Sequence, residues 1–236
     1  MKVRIKFRKY GPVRFIGHLD LMRFFQKAIR RAELDIAYTT GYSPHQVMSF
    51  AAPLGVGLES NGEYMDIELN SATTSADMIR RLNAASVYGI EVLSLKELPE
   101  DAGNAMASVA AAAYTVRFRE GREPSFDYLG KVSEFFYKET ILITKETKKN
   151  TLEIDLKPGI FKFIANDDKS LYMLLDASSS GNIKPSQVMN AFAAEYGEVL
   201  QENAYTVTRE ETYMDIAKKG RRRKLVPLDE IGREIV

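Results

Sequence analysis

The stretch Val3-Arg-Ile-Lys-Phe-Arg8 alternates apolar and basic residues with a period of two. On a strand, Val3, Ile5 and Phe7 lie on one face and the basic side chains on the other. The pattern therefore predicts a strand covered on one side only. A second alternating segment, 63–70, carries acidic residues between its apolar ones. We expect the two strands to pair, with opposite charges facing each other.

The segments around these two strands predict two helices and two further strands, and together they complete a known order of elements. The apolar spacing predicts a helix over 19–32 and another over 75–85, the second with Ser75 as its N-cap. The segment 36–51 indicates a strand interrupted by a turn, and 90–95 indicates a final strand. The resulting order, β-α-β-β-α-β, is that of a ferredoxin-like unit.

The same order recurs in the rest of the chain. It comprises a strand, a helix, two hairpins, a helix and a strand, at 114–119, 126–138, 140–157, 160–175, 185–196 and 204–214. One hairpin is in excess of the ferredoxin-like order. The sequence thus predicts an α+β fold of two tandem ferredoxin-like (β-α-β-β-α-β) halves, the second with an extra hairpin. The predicted domains are 1–98, an Ala-rich connector at 99–113, a second domain at 114–216 and a basic C-terminal tail at 217–236.

The amino-acid composition excludes several kinds of covalent link, metal site and membrane segment. The 236 residues are 45% hydrophobic and include no cysteine. Disulfides, thiolate-bound zinc and an iron–sulfur cluster held by this chain are therefore excluded. The sequence has no run of about 18 apolar residues, and its start lacks the apolar core of a signal peptide. We expect a cytoplasmic protein with no membrane partner, no cofactor and no metal site.

The net charge of +1 conceals a strong segregation. Residues 1–31 carry ten lysines and arginines against one acid, whereas residues 32–113 carry three against eleven acids. Such asymmetry is typical of a nucleic-acid surface. Pairing between the basic first strand and the acidic third strand explains it equally well, and both interpretations stay open.

Two basic clusters are candidates for RNA binding. On the first helix, Arg23, Lys27, Arg30 and Arg31 form a ridge opposite the apolar stripe. The second cluster follows the last predicted strand and consists of Lys218, Lys219, Arg221, Arg222, Arg223 and Lys224. Clusters of this kind bind polyanions without sequence choice. The alternatives are a solvated helix face and an idle tail.

The only two histidines, His18 and His45, lie near the first helix and in a Gly-Tyr-Ser-Pro-His turn. Each has a structural interpretation, in a helix start or a tight turn. We predict nevertheless that they share one site, because strand two must pass beside the first helix. The other candidate catalytic residues are Asp20, Tyr42, Ser43, Glu63 and Asp66.

Four motifs carry a resemblance to a known family. They are Phe-Ile-Gly-His-Leu-Asp at 15–20 with the helix that follows, Thr-Gly-Tyr-Ser-Pro-His at 40–45, Pro-Leu-Gly-Val-Gly-Leu-Glu-Ser at 53–60 and Glu-Tyr-Met-Asp at 63–66. Together they resemble the radical-SAM-linked uncharacterised domain family. Members look like either stand-alone proteins or a module fused behind B12-binding-type radical SAM proteins. Since this chain has no cysteine, the resemblance implies a radical SAM enzyme acting in trans as its partner.

The family brings no established activity, so three functions are considered. The first is an accessory protein that binds or presents RNA, either tRNA or rRNA, to the radical SAM enzyme. The second is a metal-independent endoribonuclease using His18 or His45, suggested by a fold-level similarity to the tandem ferredoxin-like nucleases that process CRISPR transcripts. Those nucleases have a glycine-rich loop, whereas residues 218–224 contain only Gly220. The third is a protein-only adaptor.

Overall fold

The computed structural model describes residues 1–146, 151–218 and 220–236. The chain divides into two compact units: residues 1–110 together with 211–236, and residues 111–210. The sequence analysis assigned 217–236 to a tail, whereas in the structure this segment belongs to the first unit. Among the described helices, none is both long and apolar enough to cross a membrane.

The first unit contains one complete ferredoxin-like arrangement. Its elements are β1 (Lys2–Lys9), α1 (His18–Arg31), β2 (Met48–Phe50), β3 (Glu59–Glu68), α2 (Ser75–Ala84), β4 (Ile90–Glu97) and the short α3 (Ala105–Ser108). The strands lie in the order β4-β1-β3, with β2 also on β3, and every one of these pairs is antiparallel. This is the order expected when two split βαβ units interlock.

The core of this unit forms on the face of β1 that carries its alternating apolar residues. Val3, Ile5 and Phe7 have no exposed surface and pack against α1 and α2. The rings of Phe7 and Phe25 meet edge to face, with their centroids 4.7 Å apart. Burial of such side chains contributes roughly 1.5–3 kcal/mol each.

The opposite face of β1 is partly covered as well, with Arg4 buried and Lys6 and Arg8 half-buried, so the expectation of a strand covered on one side only is wrong. Arg4 has no exposed surface and donates to the carbonyl oxygen of Leu228 at 2.8 Å. Leu228 is itself buried and follows β11 (Leu225–Pro227). The covering segment comes from residues more than 200 positions later in the chain, and no local pattern in β1 could have revealed it.

The second unit repeats the order and adds a hairpin. Its elements are β5 (Ala111–Phe118), α4 (Tyr128–Phe136), β6 (Leu142–Glu146), β7 (Thr151–Asp155), β8 (Ile160–Ala165), β9 (Leu171–Asp176), α5 (Pro185–Glu195) and the first part of β10 (Tyr205–Asp215). Residues 211–215 of β10 belong to the first unit. The sheet order is β10-β5-β9-β8, while β6 and β7 form a separate two-stranded sheet. The α+β fold is therefore confirmed. The turn between β6 and β7, at 147–150, lies outside the described residues.

Two local expectations differ from the structure. Ala111, Ala112 and Ala113 were assigned to the connector, but they begin β5 and are buried, because their small side chains fit a strand paired with β9. The N-cap of α2 is Thr74 rather than Ser75, since the Thr74 hydroxyl accepts from the N–H of Asp77. Ser75 is buried instead and donates to the carbonyl of Leu95 at 2.6 Å.

Candidate nucleic-acid interface

The exposed face of α1 carries the basic ridge. Its four cations, Arg23, Lys27, Arg30 and Arg31, are all exposed, whereas Leu21, Phe25, Ala28 and Ile29 are buried. The separation follows from about 100° of rotation per residue, which places the two sets on opposite sides of the helix. Among the described residues, Lys27 and Arg30 have no acidic partner, and Arg23 makes only a long, exposed contact of 3.4 Å with Asp20. The ridge therefore presents positive charge to solvent.

Arg31 has an additional structural role that the sequence analysis did not foresee. Its Nη2 donates at 2.7 Å to the carbonyl of Ala85, the C-cap of α2. In return, Arg81 of α2 donates at 3.0 Å to the carbonyl of Ala32, the C-cap of α1. Each arginine thus satisfies an orphan carbonyl at the negative end of the other helix. Basic residues in a last helical turn are the sequence signal for such caps.

A shallow groove of about 340 Å³ lies between the ends of these two helices. Arg31, Arg80 and Arg81 line it, together with Glu33 and small alanine side chains. Arg80 is exposed and pairs with Asp77, whose pKa is lowered by hydrogen bonds from Thr73 and Arg80. The groove extends the basic surface of α1 toward α2.

The second basic cluster is the turn of a hairpin. Strand β10 pairs with β11 antiparallel, and the backbone of Ile216 donates to the carbonyl of Lys224. Asp215 closes the turn by accepting from the N–H groups of Ala217 and Lys224, and these bonds lower its pKa. The exposed cations of the turn are Lys218, Arg221, Arg222, Arg223 and Lys224. Lys219, also predicted to bind RNA, lies outside the described residues.

His18 is the first residue of α1 and sits on an aromatic cluster. Its ring stands edge-on to Phe50, with a centroid distance of 5.1 Å, and Phe50 in turn contacts Phe7 and Phe25. The Nδ1 atom of His18 is buried and has no hydrogen-bond partner within the described part of the chain. Its visible contacts are therefore those of a packing residue at a helix start.

His45 lies in a separate turn and bonds within it. Its Nδ1 is 3.1 Å from the hydroxyl of Thr39, and its backbone N–H donates to the same oxygen. Tyr42 and Ser43 at the tip of this turn are exposed. The neighbouring Gln46 is anchored on the carbonyl of Gln26, eight residues along α1 from His18.

The contact of His18 with Phe50 and that of Gln46 with Gln26 indicate where each histidine segment lies along α1. Eight helical residues correspond to a rise of about 12 Å. His18 packs on Phe50 near the start of α1, whereas the turn carrying His45 attaches two turns further along the helix. Hydrogen-bond reach is about 3 Å. Each histidine thus has its own set of contacts, and their sharing of one site stays a prediction.

The candidate carboxylates are dispersed as well. Asp20 is exposed on α1, and Glu63 is buried in β3. Asp66 is engaged by Arg4, whose Nε and Nη2 donate to its two oxygens at 2.7 and 3.0 Å. It also accepts from the N–H of Ala105. Asp66 is thus a partner of a buried arginine, as the strand-pairing interpretation of the charge asymmetry predicted.

Sequence reasoning missed a buried polar cluster around Tyr64. The Tyr64 hydroxyl donates to Glu211 at 2.7 Å and lies 3.2 Å from a carboxylate oxygen of Asp229. Lys6 donates to the other oxygen of Glu211, and Ser94 donates to Asp229 at 2.6 Å. Burial, together with the two negative charges, raises the pKa of Tyr64. The position of Asp229 directly after the apolar residues 225–228 was the available signal.

No cluster of three or more His, Cys, Asp or Glu side chains suited to a metal ion occurs in the ranges that the structure describes. The basic ridge, the groove and the hairpin turn carry exposed cations.

Comparison with curated proteins gave no match. A family model does match, over residues 2–185, and its description is an uncharacterised protein conserved in bacteria. The matched range includes the whole of α1 with its basic ridge and stops before the basic hairpin turn. Because the match covers more than half of the 236 residues, the chain belongs to this family of uncharacterised bacterial proteins, DUF2344.

Proposed function

We propose that this protein is a non-catalytic accessory protein that binds RNA, either tRNA or rRNA, for a radical SAM enzyme. The observation that carries the RNA part is the exposed ridge of α1, in which Lys27 and Arg30 have no acidic partner among the described residues. Unpaired cations on one rigid face attract a polyanion, because binding releases the counterions condensed on its phosphates.

The other basic surfaces support the same proposal. The groove beside Arg31 and Arg80 continues the ridge, and the turn at 218–224 supplies a second set of exposed cations. Contacts of this kind position a nucleic-acid backbone and do not read its sequence. We therefore expect affinity for many RNAs, with any choice of substrate made by the partner enzyme.

The radical SAM part rests on the resemblance of the motifs at 15–66. An iron–sulfur cluster of the usual kind needs cysteine ligands, and this chain has none. In this proposal the radical chemistry belongs to a separate polypeptide, and the present chain brings the RNA to it.

A mobility-shift titration at several salt concentrations tests the RNA part. The double variant Lys27→Gln/Arg30→Gln removes two phosphate contacts, so the slope of log K against log salt is expected to become shallower by roughly 1.4 to 1.8. The control is Lys131→Gln/Lys138→Gln, which removes two cations that already pair with Glu134 and Glu195. Millimolar affinity at low salt, or equal slopes for both variants, would contradict the proposal.

Co-purification after nuclease treatment separates the accessory role from the protein-only adaptor. If the radical SAM enzyme is retained and RNA binding is absent, the adaptor is the better description. The endoribonuclease gains nothing from the geometry, because His18 and His45 have separate surroundings and Asp66 is held by Arg4.

A further inference from the structure

An exposed aromatic ring lies at the amino-terminal end of the basic ridge. Phe15 is 62% exposed, and so are its apolar neighbours Leu19 and Val56, at 60% each. Val56 is brought to this position because the next residue, Gly57, donates its N–H to the carbonyl of Arg14 at 2.8 Å. Clusters of large apolar side chains in solvent are uncommon on soluble proteins and mark binding surfaces.

The backbone on both sides of Phe15 is held firmly. The carbonyl of Arg14 accepts from Gly57, and the carbonyl of Ile16 accepts from the ammonium group of Lys9 at 2.9 Å. Lys9 is 1% exposed, so this second bond is sheltered from water. The ring is therefore presented from a fixed turn, which lowers the entropy lost when something binds to it.

One face of the ring is already occupied by a cation. The guanidinium of Arg14 lies over it, 4.9 Å from the centroid, and is held there by an ion pair with Glu59 at 3.0 Å. Because the residue remains 62% exposed, the other face is open to solvent. An aromatic ring backed by a guanidinium is an arrangement on which a nucleobase stacks well.

The ring and the ridge are aligned along the chain. Phe15 precedes His18, the first residue of α1, by three residues, a span of at most about 11 Å. On α1, Leu19, Arg23 and Arg30 project within about 40° of one another at 100° per residue. This strip of α1, with its cations, thus follows directly on the segment that carries the open aromatic ring.

From this strip we infer that the ridge binds single-stranded RNA, with one unpaired base stacked on Phe15 and the following phosphates on the α1 cations. This rests on the proposed function and names its substrate class. Bases inside a duplex are stacked on their neighbours and offer no free face, so a protein ring can stack only on a base that is splayed out.

The test compares a single-stranded oligonucleotide with a blunt-ended RNA duplex of the same length, which has no unpaired base, in binding to the full chain. Phe15→Leu keeps an apolar side chain but removes the aromatic face, and it is expected to weaken single-stranded binding by about 5- to 150-fold. Phe15→Tyr keeps the face and should stay within a few-fold of the wild type. The salt slope should be the same in all three proteins, since no cation is changed.

Two controls keep the interpretation clear. Val56→Ala trims the apolar cluster without touching the ring, so it should leave single-stranded binding unchanged. The thermal midpoint of Phe15→Leu should match that of the wild type, because the ring is exposed.

Equal binding of duplex and single strand, or no effect of Phe15→Leu, overturns the inference and leaves the proposed RNA binding intact. A Phe15→Leu variant that loses the partner enzyme but keeps its RNA affinity overturns it too, and makes the cluster a protein-docking surface. Absence of any salt-dependent RNA binding defeats both proposals together.

Discussion

Strands β1 and β5 hold the same position in their respective units, yet their second faces have opposite chemistry. Facing away from its core, β1 presents Arg4 and Lys6, and both take part in ion pairs. In β5 the corresponding face presents Ala111, Ala113 and Thr115, all of them buried. The same fold order therefore tolerates either a charged or a small, nearly apolar second face.

This difference between β1 and β5 shows which contacts a buried charge needs. A buried ion pair recovers its desolvation cost only if its geometry is good and every remaining N–H and lone pair finds a partner. Arg4 meets this demand through Asp66 and the carbonyl of Leu228. Small side chains impose no such demand. The first unit should consequently be far less tolerant of single substitutions on this face than the second.

The largest expected effect is that of Asp66→Asn. The variant leaves the Arg4 charge buried and uncompensated, which typically costs about 3–5 kcal/mol of stability. Hydrogen–deuterium exchange, measured separately for the amides of each unit, should locate the loss in residues 1–110 and 211–236. The paired variant Arg4→Met/Asp66→Leu should recover most of it, because both charges are then gone.

The matched substitution in the second unit is Thr115→Val. Among the described residues the Thr115 hydroxyl has no hydrogen-bond partner, so its removal should change stability by less than about 1 kcal/mol. If Asp66→Asn lowers the stability as little as Thr115→Val does, the expected difference between the second faces of β1 and β5 is contradicted.

A smaller effect is expected at two tyrosines, one in each unit. Burial raises the pKa of Tyr205, whereas burial and the charges of Glu211 and Asp229 both raise the pKa of Tyr64. A raised folded pKa gives stability that is fully present below the unfolded value of about 10 and is lost as pH rises through the folded pKa. In an absorbance titration, Tyr64 should therefore ionise later than Tyr205 and only as the first unit unfolds.

The contribution of the Tyr64 hydroxyl to stability can be measured by removing it. Tyr64→Phe deprives two carboxylates of a donor and should cost about 1.5–3 kcal/mol at neutral pH. Tyr205→Phe should cost less, because no charged acceptor depends on it. An equal loss in the two variants would show that burial alone, and not the charged cluster, distinguishes Tyr64.

The effects of removing a helix cap should be equal in the two units. Thr74 caps α2 through the N–H of Asp77, and Asp127 caps α4 through the N–H of Gly130. Each substitution by alanine should cost about 1 kcal/mol in urea unfolding, since a cap is a local interaction that the second face of the sheet does not influence. A large difference between them would mean that the units differ in more than their outward faces.

Local patterns account for what the sequence could predict. Alternation in residues 3–8 correctly placed Val3, Ile5 and Phe7 in the core, and helical spacing correctly placed the α1 cations in solvent. Both follow from periodicity over a few residues. The extra hairpin of the second unit was visible for the same reason.

Contacts between residues far apart in the chain account for the features that the sequence could not predict. Tyr64 is separated from Glu211 by 147 positions and from Asp229 by 165, and no spacing rule connects residues so far apart. The packing of His18 on Phe50 and the bond of Gln46 to Gln26 also join residues that are distant in the chain. The basic ridge and the pairing of Asp66 with the basic first strand were therefore predictable, whereas the role of Arg31 as a helix cap and the complete burial of Arg4 needed the structure.

The return of residues 211–236 to the first unit has a consequence for synthesis on the ribosome. Arg4 and Asp66 leave the exit tunnel early, but the carbonyl of Leu228 that completes their hydrogen bonds is made only after all of residues 111–210. The inserted unit has its entire chain available while its host still lacks a partner for a buried guanidinium. Translation thus imposes an order in which the middle of the polypeptide can finish folding before its beginning.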